Sequence, residues 1–361
     1  MKPKRLRIII IGAAWHGDSV KNVYRAFQQL GFRAGMVYIN SLPAPLGGNS
    51  ETVTLAFERL KMLMRPLGRG TFSFLKSIRQ RLADAELLSR VILAQMLGWD
   101  VIAVFIWSPG SFWILKRLWR TRSVKTVLWL QEPFSCDKTW EPKLDYFNEV
   151  FMNNEEAYMC GPKEERNKRR MRLLPLAADD TALIPLAEAD IPPQYRGTDV
   201  VFVGQYAPWR MESLKRFKDY NMKIYGYKWE DGFEKYPWLK EKYGGNIPLS
   251  DVVFVYNGAA IAIGTLGPLG YRLVVPTQRT FDIALTGTFQ VSQEVPLTKK
   301  LFGDSIAYFK DDDDLKRVVD HYLSRPEERK EKALRSREVA LKYTYRAAAK
   351  VILRSCGIKV D

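Results

Sequence analysis

Val200-Val201-Phe202-Val203-Gly204-Gln205-Tyr206-Ala207-Pro208-Trp209-Arg210 opens as an unbroken apolar run, turns at a glycine and enters a helical pattern. An apolar run without alternation marks a strand covered on both faces, as in a parallel sheet. Ile8-Ile9-Ile10-Ile11-Gly12-Ala13-Ala14-Trp15-His16-Gly17-Asp18-Ser19 has the same design at the start of the chain. Each run starts its own train of alternating strand and helix signals. Two such trains predict an α/β protein of two facing Rossmann-like domains with a cleft between them.

Outward from these runs, helix signals cover Ser19–Leu30, most of Thr52–Gly98, Trp209–Phe217, Ser250–Asn257 and Thr280–Leu285. Strand signals fall on Ala34–Ile39, Val101–Trp107, Thr126–Gln131, Asp199–Val203, Met222–Tyr225, Ala260–Ile263 and Phe289–Val291. The stretch Ala177–Gly197, rich in Ala, Pro and Asp, reads as a linker. The expected division is a first domain over 1–176, a linker over 177–198, a second domain over 199–335 and a C-terminal helix over 336–361 that packs back on the first domain. A length of 361 residues suits two domains.

The net charge of +16 is unevenly spread: residues 1–175 carry 28 Lys/Arg against 15 Asp/Glu. A basic first half points to an anionic partner. Phe57–Leu82 and Phe112–Arg122 interleave cations with apolar and aromatic side chains, a pattern suited to an anionic membrane surface. Nucleic acid is the less favoured partner, and a solvated basic face is the plain alternative. The apolar runs are far too short for a membrane span of ~20 residues. Met1–Ile11 reads as a strand, not an export signal. Cys136, Cys160 and Cys356 are odd in number and far apart, which points to a reducing, cytoplasmic setting.

Chemistry concentrates in Arg279-Thr280-Phe281-Asp282-Ile283-Ala284-Leu285-Thr286-Gly287. An acid on the first turn of a helix can hold a hydroxyl pair, and the free N–H groups beside it attract phosphate. Asp282 is the candidate for the ribose hydroxyls; Arg279 and Thr280 are candidates for phosphate or sugar. Gly204 lets its loop turn tightly, and Arg210 can reach a diphosphate from the helix start. The alternative for Arg210 is an ion pair with Glu212, and that for Asp282 is a capping role. His16, in the loop after the first strand, is the candidate acceptor contact or general base. His321 reads as structural. Gly12 and Gly17 do not make a GxGxxG fingerprint. In Ile224-Tyr225-Gly226-Tyr227-Lys228-Trp229 the aromatics are candidates to stack on a base. Asp311–Asp314 reads as a helix N-cap, and no metal-ligand set is visible.

The second half resembles the C-terminal domain of CgeB-type (spore maturation protein) glycosyltransferases, a family of GT-B fold. The resemblance rests on Asp199–Gly204 with Arg210, Tyr225-Gly226 with Trp229, and Val255-Tyr256-Asn257. It continues through Arg279–Asp282, Gly287 with Phe289, the closing helices, and Leu174–Asp179. It implies a nucleoside-diphosphate-sugar donor, UDP-sugar foremost, held by Gly204, Tyr225, Gly226, Asn257, Thr280 and Asp282. It implies no obligate metal. The acceptor, bound in the first domain, stays unidentified. The family usually has Glu where this chain has Asp282, and Val274 stands where many retaining GT-B enzymes carry an acid; the stereochemical course is left open. The expected function is metal-independent sugar transfer, with Arg210 and Arg279 on the leaving diphosphate. The rivals are a non-catalytic basic binding protein and a sugar-nucleotide epimerase on the same fold.

Overall fold

The computed structural model describes residues 5–12, 17–38, 69–106, 111–131, 141–153, 171–264, 267 and 276–360. His16, Val274, Cys136, Cys160 and residues 57–68 of the first basic stretch lie outside the described residues. The chain divides into two compact units: Met1–Pro175 with Tyr345–Asp361, and Leu176–Thr344.

Unit 1 holds strands β1 (Leu6–Gly12), β2 (Arg33–Tyr38), β3 (Asp100–Ile106), β4 (Val124–Leu130), β5 (Glu149–Met152) and β6 (Met171–Leu173). They form one parallel sheet in the order β2-β1-β3-β4-β5-β6. Its main helices so far are α1 (Gly17–Gln29), α2 (Arg69–Met96) and α3 (Phe112–Trp119). Ile8 to Ile11 are all fully buried, because successive side chains point to opposite, equally covered faces. Ile9 and Ile11 share a core with Leu87 and Val91 of α2 and with Ile114 and Leu118 of α3.

Unit 2 holds β7 (Thr198–Val203), α4 (Pro208–Leu214), β8 (Met222–Tyr225), α5 (Val252–Asn257), β9 (Ala259–Ile263), α6 (Gln278–Thr286), β10 (Phe289–Gln293), α7 (Pro296–Phe302) and β11 (Ala307–Phe309). Helices α8 (Asp312–Leu323) and α9 (Pro326–Ala340) close it. The parallel order is β11-β10-β9-β7-β8. From β7 the chain steps to β8 on one side and then to β9 on the other. Ligands of such open sheets bind beyond the carboxyl ends of the strands at this reversal. Phe202, Ile263 and Val291 pack on one face with Met211 and Leu315, while Val201 and Ala262 pack on the other with Val255 and Ile283.

Several boundaries differ from the sequence reading. The α-helical turn pattern of α4 stops at Leu214, and Lys215–Phe217 continues as a tighter 3₁₀ turn. Strand β11 and helix α7 have no counterpart in that reading; three-residue strands show too little periodicity to read. The acidic run is the cap it resembles: Asp311 Oδ1 accepts from Asp314 N at 2.8 Å, and acids fill the first turn of α8. The last helix, α10 (Tyr345–Ser355), belongs to unit 1 and packs on α1, with Ala348, Ala349, Ile352 and Leu353 buried. Tyr345 Oη donates to Ser19 Oγ at 3.4 Å and Lys125 Nζ to Cys356 O at 2.5 Å. Among the described residues no helix is long and apolar enough to cross a membrane.

Candidate functional site

Gly204 follows β7 directly, and its N–H donates to Tyr225 O at 2.9 Å, which locks the two strand ends together. Gly226, just beyond β8, has φ +125°, and a Cβ on it would lie 2.1 Å from Gly204 O. Glycine alone meets both the conformation and the contact. Trp229, fully buried, donates Nε1–H to the same Gly204 O at 2.7 Å. Two glycines and an indole therefore fix the floor of the site.

Gly264 follows β9, and its carbonyl accepts from Arg279 Nη1 at 2.9 Å. A Cβ placed on Gly204 would lie 2.6 Å from Arg279 Nη2. Arg279, on the first turn of α6, thus spans the reversal between β7 and β9. Its guanidinium carbon lies 4.9 Å from the centroid of the Phe202 ring, and that of Arg210 lies 5.7 Å from the same centroid. Arg210 Nη1 donates to Gln205 O at 2.6 Å. Gly204, Arg210 and Arg279 are brought together at the carboxyl ends of the central strands.

The electrostatics of this pair favour an anion. Burial, and then the neighbouring charge of Arg279, bring Arg210 down to about 10. Burial lowers Arg279 too, opposed by Tyr256 and Asp282. An arriving anion relieves the repulsion between the two guanidiniums and offers both of them charge-assisted hydrogen bonds. Asp282 sits one turn further along α6. Its Oδ1 is buried without a hydrogen-bond partner, and burial raises its carboxyl to about 7 against the pull of Arg279.

The other sequence candidates fall differently. The Tyr225 ring is buried: a Cβ on Gly244 would lie 2.1 Å from it, and Tyr195 meets it edge-on, so it offers no stacking face. Asn257 is a structural clip, its Nδ2 donating to Ile184 O and Val253 O while its Oδ1 accepts from Leu186 N. Thr280 is fully buried. Trp229 is a support for Gly204 and not a platform for a base, whereas Tyr227 stays exposed with its hydroxyl on Gln205 Oε1. Glu212 engages Lys215 and Tyr236. His321 contacts Arg325, with Glu328 at 3.7 Å, on α8. His16 lies outside the described residues.

Sequence reasoning missed the ring of Phe202 as a shared cation platform and the carbonyl of Gly264 as an anchor. A signal for the second existed: Ile261-Ala262-Ile263-Gly264 is a third strand followed by glycine. Among the described residues no group of three or more His, Cys, Asp or Glu is placed to hold a metal ion.

Residues 208–354 match the family model described as glycosyl transferase-like. Sucrose-phosphate synthase from Thermosynechococcus elongatus superposes with a TM-score of 0.64 at 13% identity, covering 97% of this chain and 98% of that one. The fold is GT-B. A glycosyltransferase from Rickettsia africae gives 0.62 at 12% identity, covering 98% and 97%. The Anabaena protein Alr3699/HepE, solved in complex with UDP and glucose, gives 0.59 at 9% identity, covering 97% and 99%. At these identities the likeness is one of fold. Among curated proteins none matches this sequence.

Proposed function

We propose that this GT-B protein transfers a sugar from a nucleoside diphosphate donor to an acceptor, as the resemblance to CgeB-type glycosyltransferases implies. One observation carries the reading: Arg210 and Arg279 share the Phe202 ring beside Gly204, where the strand order reverses. Charge builds on the β-phosphate as the glycosidic bond to it breaks. Two preorganised guanidiniums stabilise that charge more strongly than the ground state. They take the part a metal plays elsewhere, so activity should persist in chelator. Asp282, whose buried Oδ1 lacks a hydrogen-bond partner, is proposed to position the ribose hydroxyls. His16, on the segment between β1 and α1, is proposed to contact the acceptor or to take its proton. UDP-glucose is the first donor to test, since Alr3699/HepE carries UDP and glucose.

The test is calorimetric titration of UDP-glucose, followed by donor turnover with and without acceptors. A charge-assisted hydrogen bond is worth roughly 1.5–3 kcal/mol, so Arg279→Gln and Arg210→Gln should each weaken donor binding about 10–100-fold. Arg279→Gln should also lower the thermal transition, because Gly264 O loses its donor, whereas the less buried Arg210→Gln should leave it near that of the parent. Parent-like binding by both Arg279→Gln and Arg210→Gln would remove the site from its role. Donor conversion with no acceptor present would identify an epimerase instead.

A further inference from the structure

The outward face of α3 carries a pattern that the candidate donor site does not use. Ser111 Oγ caps the helix by accepting from Ile114 N and donates to Asp84 Oδ2 at 2.5 Å, which ties α3 to α2. Ile114, Leu115 and Leu118 turn into the sheet. The remaining positions face water: Phe112, Trp113 and Trp119 alternate with Lys116, Arg117 and Arg120, and Arg122 follows. Trp113 is 57% exposed and Trp119 48%. A surface helix ordinarily turns its polar side outward and hides its rings. Here rings and cations share the outer side, with no acid among residues 112–122. Arg117, Arg120 and Arg122 have no carboxylate partner among the described residues.

The end of α2 extends this face. Gln95 Nε2 donates to Ser123 Oγ at 2.6 Å, fastening the last turn of α2 beside the segment that leaves α3. Ile92, Leu93, Met96 and Leu97 are all exposed on that turn, Met96 by 79%.

We propose that this face docks the protein peripherally on a bilayer containing anionic lipid. Trp113 and Trp119 sit at headgroup depth, and the α2 aliphatics enter the acyl boundary. Lys116, Arg117, Arg120 and Arg122 lie along the anionic headgroups, their stems following the apolar surface. The chemistry selects this partner over two others. A nucleic acid offers phosphates to the cations but nothing to the exposed aliphatic turn of α2. A second copy, joined through the same face, would set these unpaired cations against themselves. The proposal stands independently of the donor reading.

The test is sedimentation of the full chain with phosphatidylcholine vesicles, with and without phosphatidylglycerol. The protein should pellet with the anionic vesicles, stay in solution with neutral ones, and be released by salt. Each basic residue near such a surface is worth about fivefold in partition, so Lys116→Gln, Arg117→Gln, Arg120→Gln and Arg122→Gln should weaken binding stepwise. Trp113→Ser with Trp119→Ser should weaken it as well. Both sets are surface changes and should leave the thermal transition and UDP-glucose binding unaltered. The idea is overturned if the parent ignores phosphatidylglycerol or if the charge variants pellet like the parent. Self-association that is lost on Trp113→Ser, or retention on RNA without vesicle binding, would overturn it equally. Failure of UDP-glucose binding alone would count against the donor reading and leave this one intact.

Discussion

At Gly226 two constraints coincide, a left-handed φ of +125° and a carbonyl 2.1 Å from where a Cβ would sit. Gly226→Ala should therefore cost at least about 2 kcal/mol and displace Gly204, with UDP-glucose binding falling alongside the melting temperature. Gly204→Ala is the subtler change, because its Cβ would meet only side-chain atoms, Arg279 Nη2 at 2.6 Å and the Phe202 ring at 3.1 Å, and no backbone. Asp282 supplies a pH dependence whose sign is fixed. Its carboxyl titrates near 7 in the folded protein, above its ordinary 3.8, so folding retains a proton that the unfolded chain releases. Stability should then decline as pH rises from the ordinary value through about 7. Donor affinity should decline over the upper part of the same range, because ionised Asp282 offsets the charge of Arg279. UDP-glucose has no phosphate ionisation there to confuse the titration. In Asp282→Asn both slopes should flatten, and a slope unchanged in that variant would clear Asp282 of the effect.

Among the elements, α8 shows local chemistry setting a boundary. Removing its cap through Asp311→Ala should lower stability by about 1 kcal/mol, read as a drop in melting temperature with donor binding unchanged. This start was legible because a cap is decided within four residues. The interior strands β1 and β7 were legible for a related reason: burial on both faces writes an unbroken apolar run. Gly287 at the end of α6, with φ +74°, is the left-handed stop that the sequence pattern suggests. Of the candidate site, the grouping of Gly204, Arg210 and Arg279 was legible, because a strand–glycine–helix pattern brings each of them to a strand end or a helix start. Trp229 and Tyr225 misled because an aromatic in or beside a loop reads as exposed until the packing around it is known. Asn257 came from the resemblance alone, and its bonds to Ile184 and Leu186, some 70 residues away in sequence, are tertiary facts that no local pattern shows. Phe202 looked like core, which it is, and its second service to two guanidiniums is a tertiary fact.

For the whole molecule, the decisive fact is that unit 1 is built from two separate lengths of chain, Met1–Pro175 and Tyr345–Asp361. A chain ending at Thr344 would leave the covered side of α1 without Ile352 and Leu353. Calorimetry of that shortened chain should show a weakened or missing transition for unit 1 beside a preserved one for unit 2, and UDP-glucose titration should still succeed. A single unaltered transition would mean that α10 contributes little to unit 1. The same discontinuity orders biosynthesis. As the chain leaves the ribosome, the later unit has all its residues before the earlier one does, so the N-terminal part of unit 1 waits, incomplete and open to chaperones, until Tyr345–Asp361 has emerged.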